Sequence, residues 1–233
     1  MVVHLRPTAP IAPDALLPGD PGRALALAQD LLAKPLMSNH HRGLWGYHGE
    51  TVRDDRPLTI QSTGIGGPSA AIVLHELAEL GVARAIRVGT CGSAELEPGT
   101  LVVAAGAFAS DGTSRALGAG GPVAASARLT EDLAAAAKAP RVRVETVDLF
   151  YAERAGSEGI AAWEMEAAPL FALGAELGLE VACVLTVVAR GAERISEELL
   201  AEAELEMGRA AAAALARQPQ PVAAEPSSTS SRA

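Results

Sequence analysis

The chain has 233 residues, 49% of them hydrophobic, enough to bury one core of ordinary size. A formal net charge of -9 gives no general attraction to nucleic acid or anionic lipid, so any bound anion must be caught by a local constellation. Cys91 and Cys183 are too few for a disulfide framework and match no metal spacing. No apolar stretch approaches the roughly 18 residues of a membrane span and no signal-peptide pattern is present, so the expectation is a cytoplasmic protein.

Short apolar runs alternate with helical patterns, the mark of an α/β fold with a central mixed β-sheet flanked by helices. Residues 15–17 read as a strand feeding the turn Pro18-Gly19-Asp20-Pro21-Gly22-Arg23, and a helix follows to about residue 33. Strands are expected at 44–51 and 58–62. The next stretch, STGIGGPSAAIVLHEL at 62–77, sets three glycines and a proline at the mouth of a helix over 68–80. Two explanations compete for it: a tight packing turn, or a loop whose amides approach a ligand too closely for side chains. A strand at 85–88 ends at Gly89-Thr90-Cys91-Gly92; strands at 101–105 and 142–147 flank a helix at 129–138. The pattern closes with a helix at 166–177, a buried strand at 181–188 and a terminal helix at 196–217. The Gly-rich segment 112–126 reads as a surface loop. Residues 218–233, rich in Pro and Ser, read as a disordered tail beyond one catalytic domain at 1–217.

Three polar turns, at 19–23, 63–69 and 87–93, follow apolar strands, and ligands of open α/β sheets collect at such strand ends. Arg23 and Arg87 each lie near a glycine, and guanidinium plus backbone amides is a recipe for an oxyanion such as phosphate. From spacing alone, a solvated Arg23 and an ion-paired Arg87 are equally acceptable. Glu164-Met165-Glu166 places two carboxylates before a helix, suited to the vicinal hydroxyls of a sugar or, more plainly, to acidic enrichment at a helix start. His40 and His41 are adjacent and lack a carboxylate at ligand spacing, so no metal is expected. Cys91 reads as a small core residue without an activated thiolate.

Taken together, LPGDPGRA, NHHRG, STGIGGPSAAIVLHELAELGV, IRVGTCGS, DLFY and WEMEAAPLF occur in an order and spacing that resemble the nucleoside phosphorylases of the purine nucleoside and uridine phosphorylase family. The resemblance covers about residues 4–216. It implies that Gly19, Arg23, Arg87 and Thr90 bind phosphate, joined by Arg42 of a neighbouring subunit. It also implies that Met165 and Glu166 hold the ribose, that His4 reaches the 5′ position from the neighbour, and that Phe150 lies against base or sugar. The implied partners are a nucleoside and inorganic phosphate as co-substrate, with no cofactor. The implied assembly is at least a homodimer, which in the family often builds into a homohexamer.

The base side departs from the family. Purine-cleaving members carry a Ser-Asp pair whose aspartate protonates the departing base; an ungapped count from Glu166 puts Ala189 there, and alanine has no proton to give. Arg190 follows. A one-residue gap brings it onto the arginine that, in uridine-cleaving relatives, stabilises the pyrimidine oxygen. Those relatives also read uracil with a Gln-Glu-Arg run after the Phe-Tyr pair; here Glu153 and Arg154 are kept but Ala152 replaces the glutamine. The resemblance thus implies phosphate-dependent cleavage of a nucleoside, leaning to uridine, with catalysis at Arg87 and Arg190 and base contacts from Phe150, Arg154 and Arg190. The alternatives are a purine or methylthioadenosine phosphorylase with another acid, for which Glu193 is a candidate, and a nucleoside-binding protein with little turnover.

Overall fold

The computed structural model describes residues 2–152 and 158–217. The expected tail at 218–233 and the residues Glu153 and Arg154 lie outside the described residues. In chain order the first elements are β1 (Asp14–Pro18), α1 (Pro21–Leu31), β2 (Leu36–Asn39), β3 (Gly46–Glu50), β4 (Pro57–Gln61), α2 (Gly67–Glu79) and β5 (Arg84–Ser93). There follow β6 (Leu101–Ala109), α3 (Gly112–Ala116), β7 (Gly121–Ala124), α4 (Ala127–Ala137) and β8 (Arg141–Thr146). The last are β9 (Ala162–Glu164), α5 (Ala167–Leu177), β10 (Glu180–Arg190), β11 (Glu193–Arg194) and α6 (Glu197–Ala216).

These strands form one mixed sheet. β1 lies between the parallel strands β4 and β5, and β4 continues through β3 to β2 by antiparallel pairing. On the other side the sheet curls until it meets itself. β5 pairs in parallel with β10, β10 antiparallel with β6, β6 in parallel with β8, and β8 in parallel with β9, which returns to β5 at the Gly92–Trp163 pair. This closure brings the C-terminal ends of β5 and β10 beside the short β9 that leads into α5.

Strand residues alternate between two cores, as the two-residue period of a pleated strand requires. Leu17, Ala85, Cys183 and Leu185 pack with α2 and α5, whereas Leu16, Ile86, Ala182 and Val184 pack with α1, α4 and α6. Helix starts follow local chemistry. Asp20 accepts from the Arg23 amide with Pro21 next in the chain, and Ser196 accepts from the Leu199 amide at the head of α6. Gly178, at φ 73°, ends α5 in the left-handed region that glycine tolerates.

The sheet differs from the sequence reading in several places, the unexpected two-residue β11 paired with β10 among them. β2 was not expected, since its first half is exposed and carries no alternation. The Gly-rich segment read as a loop contains α3 and β7, an edge strand paired with β6. β9 spans only three residues. The turn expected at Gly89–Gly92 is strand, because β5 runs on to Ser93. The reason is packing: a Cβ on Gly89 would stand 2.8 Å from Cζ of Arg87, and one on Gly92 would stand 2.5 Å from the indole nitrogen of Trp163. Those glycines make room for side chains.

Candidate active site

The β1–α1 turn, the ends of β5 and β10 and the segment entering α5 surround one open cleft of about 1810 Å³. Gly19, Arg23, Arg87, Thr90, Phe150, Met165, Glu166 and Arg190, eight of the residues singled out from sequence, line it together. His4 and Arg42 do not. His4 is held by Glu76 of α2, with Nδ1 2.7 Å from Oε1, and its carbonyl lies 2.9 Å from Nδ1 of His41. Arg42 is exposed in a short 3-10 turn at residues 41–43, with φ of 60°.

Arg87 organises the floor. It is 4% exposed and its Nε donates to Glu164 Oε2 at 3.0 Å, while Nη2 pairs with Glu166 Oε2. Burial works against its charge, but the Glu166 and Glu164 carboxylates beside it hold its pKa above the ordinary arginine value. Glu164 is fully enclosed. It accepts from Thr146 Oγ1 at 2.5 Å, from the Glu166 amide at 2.8 Å and from the Ala167 amide at 2.9 Å. Burial pushes its pKa up and Arg87 pulls it back. Every one of these partners donates, the pattern expected of an ionised carboxylate at the positive end of α5. The pairing that sequence reading offered to a sugar is therefore divided: Glu164 fastens Arg87 to the helix start, and Glu166 faces the cleft.

The glycine-rich stretch at the mouth of α2 is a tight packing turn, the first of the two explanations weighed for it. Gly64 and Gly66 have φ of 73° and 85°, a region that disfavours side chains. Gly67 lets α2 approach Thr113 and Pro169, where a Cβ would meet atoms at 2.9 to 3.1 Å. The Gly66 amide donates to Glu166 Oε1 at 2.6 Å, so this turn and Arg87 fix the two oxygens of one carboxylate from opposite partners. Sequence spacing pointed to the turn; the amide's target, a hundred residues away, had no local signal.

The remaining wall is looser. Val188, Ala189 and Arg190 of β10 line it, with Trp163 and the aromatic pair Phe150 and Tyr151, whose rings meet edge to face at 5.0 Å. Tyr151 is 94% exposed and Ile65, across the cleft mouth, 81%. The Arg190 guanidinium stands at the rim, where Nε and Nη2 donate to Glu193 at 3.0 and 2.7 Å and Nη1 pairs with Glu97. Cys91 also lines the cleft, and burial pushes its thiol up to about 12, which keeps it protonated and unreactive. Among the described residues, no three His, Cys, Asp or Glu side chains gather as a metal site, and no helix is long and apolar enough to cross a membrane.

A family model described as the phosphorylase superfamily matches residues 13–218. The chain is 35% identical over 210 residues to a DeoD-type purine nucleoside phosphorylase of Clostridium novyi, covering 81% of this chain and 88% of that one. It is 36% identical over 205 residues to a DeoD-type purine nucleoside phosphorylase of Hahella chejuensis, covering 80% and 86%. The solved structure of a uridine phosphorylase from Vibrio fischeri matches with a TM-score of 0.76 at 26% identity, covering 88% of this chain and 91% of that one. A matched model spanning the whole sheet, relatives aligned over most of their length, and a cleft that gathers the motif residues lead to one conclusion: the chain belongs to the phosphorylase superfamily and is a nucleoside phosphorylase.

Proposed function

We propose that the chain cleaves the N-glycosidic bond of pyrimidine nucleosides, uridine above all, releasing free base and ribose 1-phosphate without a cofactor. The observation that carries this reading is the floor network. Arg87 is locked to the ribose-facing carboxylate of Glu166 while lining the same cleft as Arg23, Gly19 and Thr90. One cation thereby joins a sugar subsite to an anion subsite. As the glycosidic bond breaks, positive charge grows on the ribose and its bonding electrons leave with the base. Phosphate held below the ring stabilises that charge, then forms the new bond to the anomeric carbon. A second copy of the chain supplies Arg42 to the phosphate and His4 to the 5′ end.

The pyrimidine preference rests on the β10 wall. Departing uracil can leave as an anion spread over its ring and oxygens, so a cation is sufficient, whereas a purine leaves best with a proton delivered to it. Ala189 and Val188 offer no proton, and Arg190 is a cation at that wall, with Arg194 also lining the cleft. Its pairs with Glu97 and Glu193 are solvent-screened and readily exchanged for a base. A purine reading is favoured by the names of the relatives at 35% and 36% identity, with Glu193 as the acid.

Release of free base from uridine, thymidine, inosine, adenosine and methylthioadenosine, each with and without phosphate, tests the proposal. Phosphate-dependent release from uridine, lowered about tenfold by Arg190→Ala with the phosphate KM unmoved, is expected. Preferential release from a purine nucleoside contradicts the base assignment. Binding without product contradicts turnover.

A further inference from the structure

Among the described residues Arg23 is one of four arginines lining the cleft, and the group that holds it comes from the far end of the chain. Its Nη2 pairs with Glu204 Oε1 on α6 at 2.7 Å, with side-chain exposures of 10% for Arg23 and 18% for Glu204. Nη1 donates to the Val88 carbonyl at 3.3 Å. Nε is buried, and among the described residues it has no hydrogen-bond partner. Arg23 lines the cleft, whereas Glu204 is not among its lining residues.

We propose that Glu204 is a positioning residue of the phosphate subsite, gripping Arg23 from α6 so that its guanidinium is held at the cleft for the incoming oxyanion. This rests on the reading that Arg23 binds phosphate. The grip is rigid because α6 is fastened to α1 beside it. Gly208 packs so closely on Leu27 that a Cβ there would stand 2.2 Å from Leu27 Cδ2, while the adjacent Arg209–Asp30 pair is solvent-exposed and adds little to that fastening. A long arginine left ungripped would sample many rotamers, and phosphate would have to order it at the moment of binding. A carboxylate so near the anion also opposes it electrostatically; the inference is that loss of aim outweighs relief of that repulsion, because the guanidinium supplies the direct hydrogen bonds.

The test is steady-state kinetics of the full chain with phosphate and nucleoside varied separately, for Glu204→Ala, Glu204→Gln, Arg23→Ala and Arg209→Ala, with thermal midpoints measured alongside. Glu204→Ala is expected to raise the phosphate KM about tenfold, as for one lost charge-assisted contact, and to leave the nucleoside KM within about twofold. Glu204→Gln keeps an acceptor oxygen and should restore most of the phosphate affinity. Arg209→Ala removes the neighbouring α6–α1 pair and should leave the phosphate KM unchanged. An unchanged or lowered phosphate KM in Glu204→Ala, or equal increases in both KM values, overturns the positioning role. If Arg23→Ala also leaves the phosphate KM unchanged, the phosphate assignment of Arg23 falls with it; if Arg23→Ala raises it and Glu204→Ala does not, only the inference falls.

Discussion

The two sides of the cleft are built differently. On the floor, Arg87, Glu164 and Glu166 are almost wholly buried, and the two carboxylates are fixed by named partners from β5, β8, α5 and the turn before α2. On the base wall, Phe150 and Tyr151 are exposed and Arg190 is tied only to carboxylates at the solvent rim. In the proposed reaction a preorganised floor stabilises charge on the ribose and the attacking phosphate, which are common to the cleavage of every nucleoside. A looser wall meets the part of the substrate that varies, and changes there shift preference without dismantling the chemistry.

The largest expected effect is therefore on the floor. Arg87→Lys keeps a charge but loses the planar fork that reaches Glu164 and Glu166 together, so kcat/KM should fall about 10²- to 10³-fold for every nucleoside alike. A loss confined to one base would break the comparison. On the wall, Ala189→Asp introduces a proton donor where the purine-cleaving pattern has one and should raise kcat/KM for inosine about tenfold or more, with the phosphate KM unchanged. No gain with a purine would mean that position 189 does not reach the leaving group.

The smallest effect concerns a buried charge that lies outside the cleft. Glu76, outside the cleft, accepts from the amides of Val3, His4 and Leu5 and from the His4 ring. Burial works to raise its pKa, but these donors bring it down from the usual 4.5 to about 2. A depressed carboxylate stabilises the folded state above its unfolded value and loses that contribution as pH falls from about 4.5 towards 2. Glu76→Gln should cost about 1–3 kcal/mol of stability at pH 7 and remove the steepest part of the acid slope, as read by urea titration across pH. An equally steep slope in the variant would assign the acid transition to other groups.

Sequence legibility followed range. β1, β4, α2, β10 and α6 were readable because apolar period and caps are local: Asp20 before Pro21, and Ser196 ahead of Glu197 and Glu198, announce their helices within a few residues. β7 and β9 were not, since edge or three-residue strands exist only through their partners. In the cleft, polar turns after strands pointed to Arg23 and Arg87, the carboxylates before a helix pointed to Glu166, and the family resemblance added Gly19 and Thr90. The hold of Glu164 on Arg87 was not legible, because its partners, Thr146 and Arg87, are distant in sequence and invisible to spacing. The Gly66 amide and the grip of Glu204 on Arg23 were illegible for the same reason.

The division between floor and wall is tested most directly by the ratio of kcat/KM for uridine to that for inosine, measured in the wild type, Arg87→Lys and Ala189→Asp. The account predicts a ratio that Arg87→Lys leaves within about twofold despite its large loss of activity, and that Ala189→Asp moves towards inosine by about tenfold or more. A ratio shifted as far by Arg87→Lys as by Ala189→Asp would contradict it, because the floor would then be choosing the base.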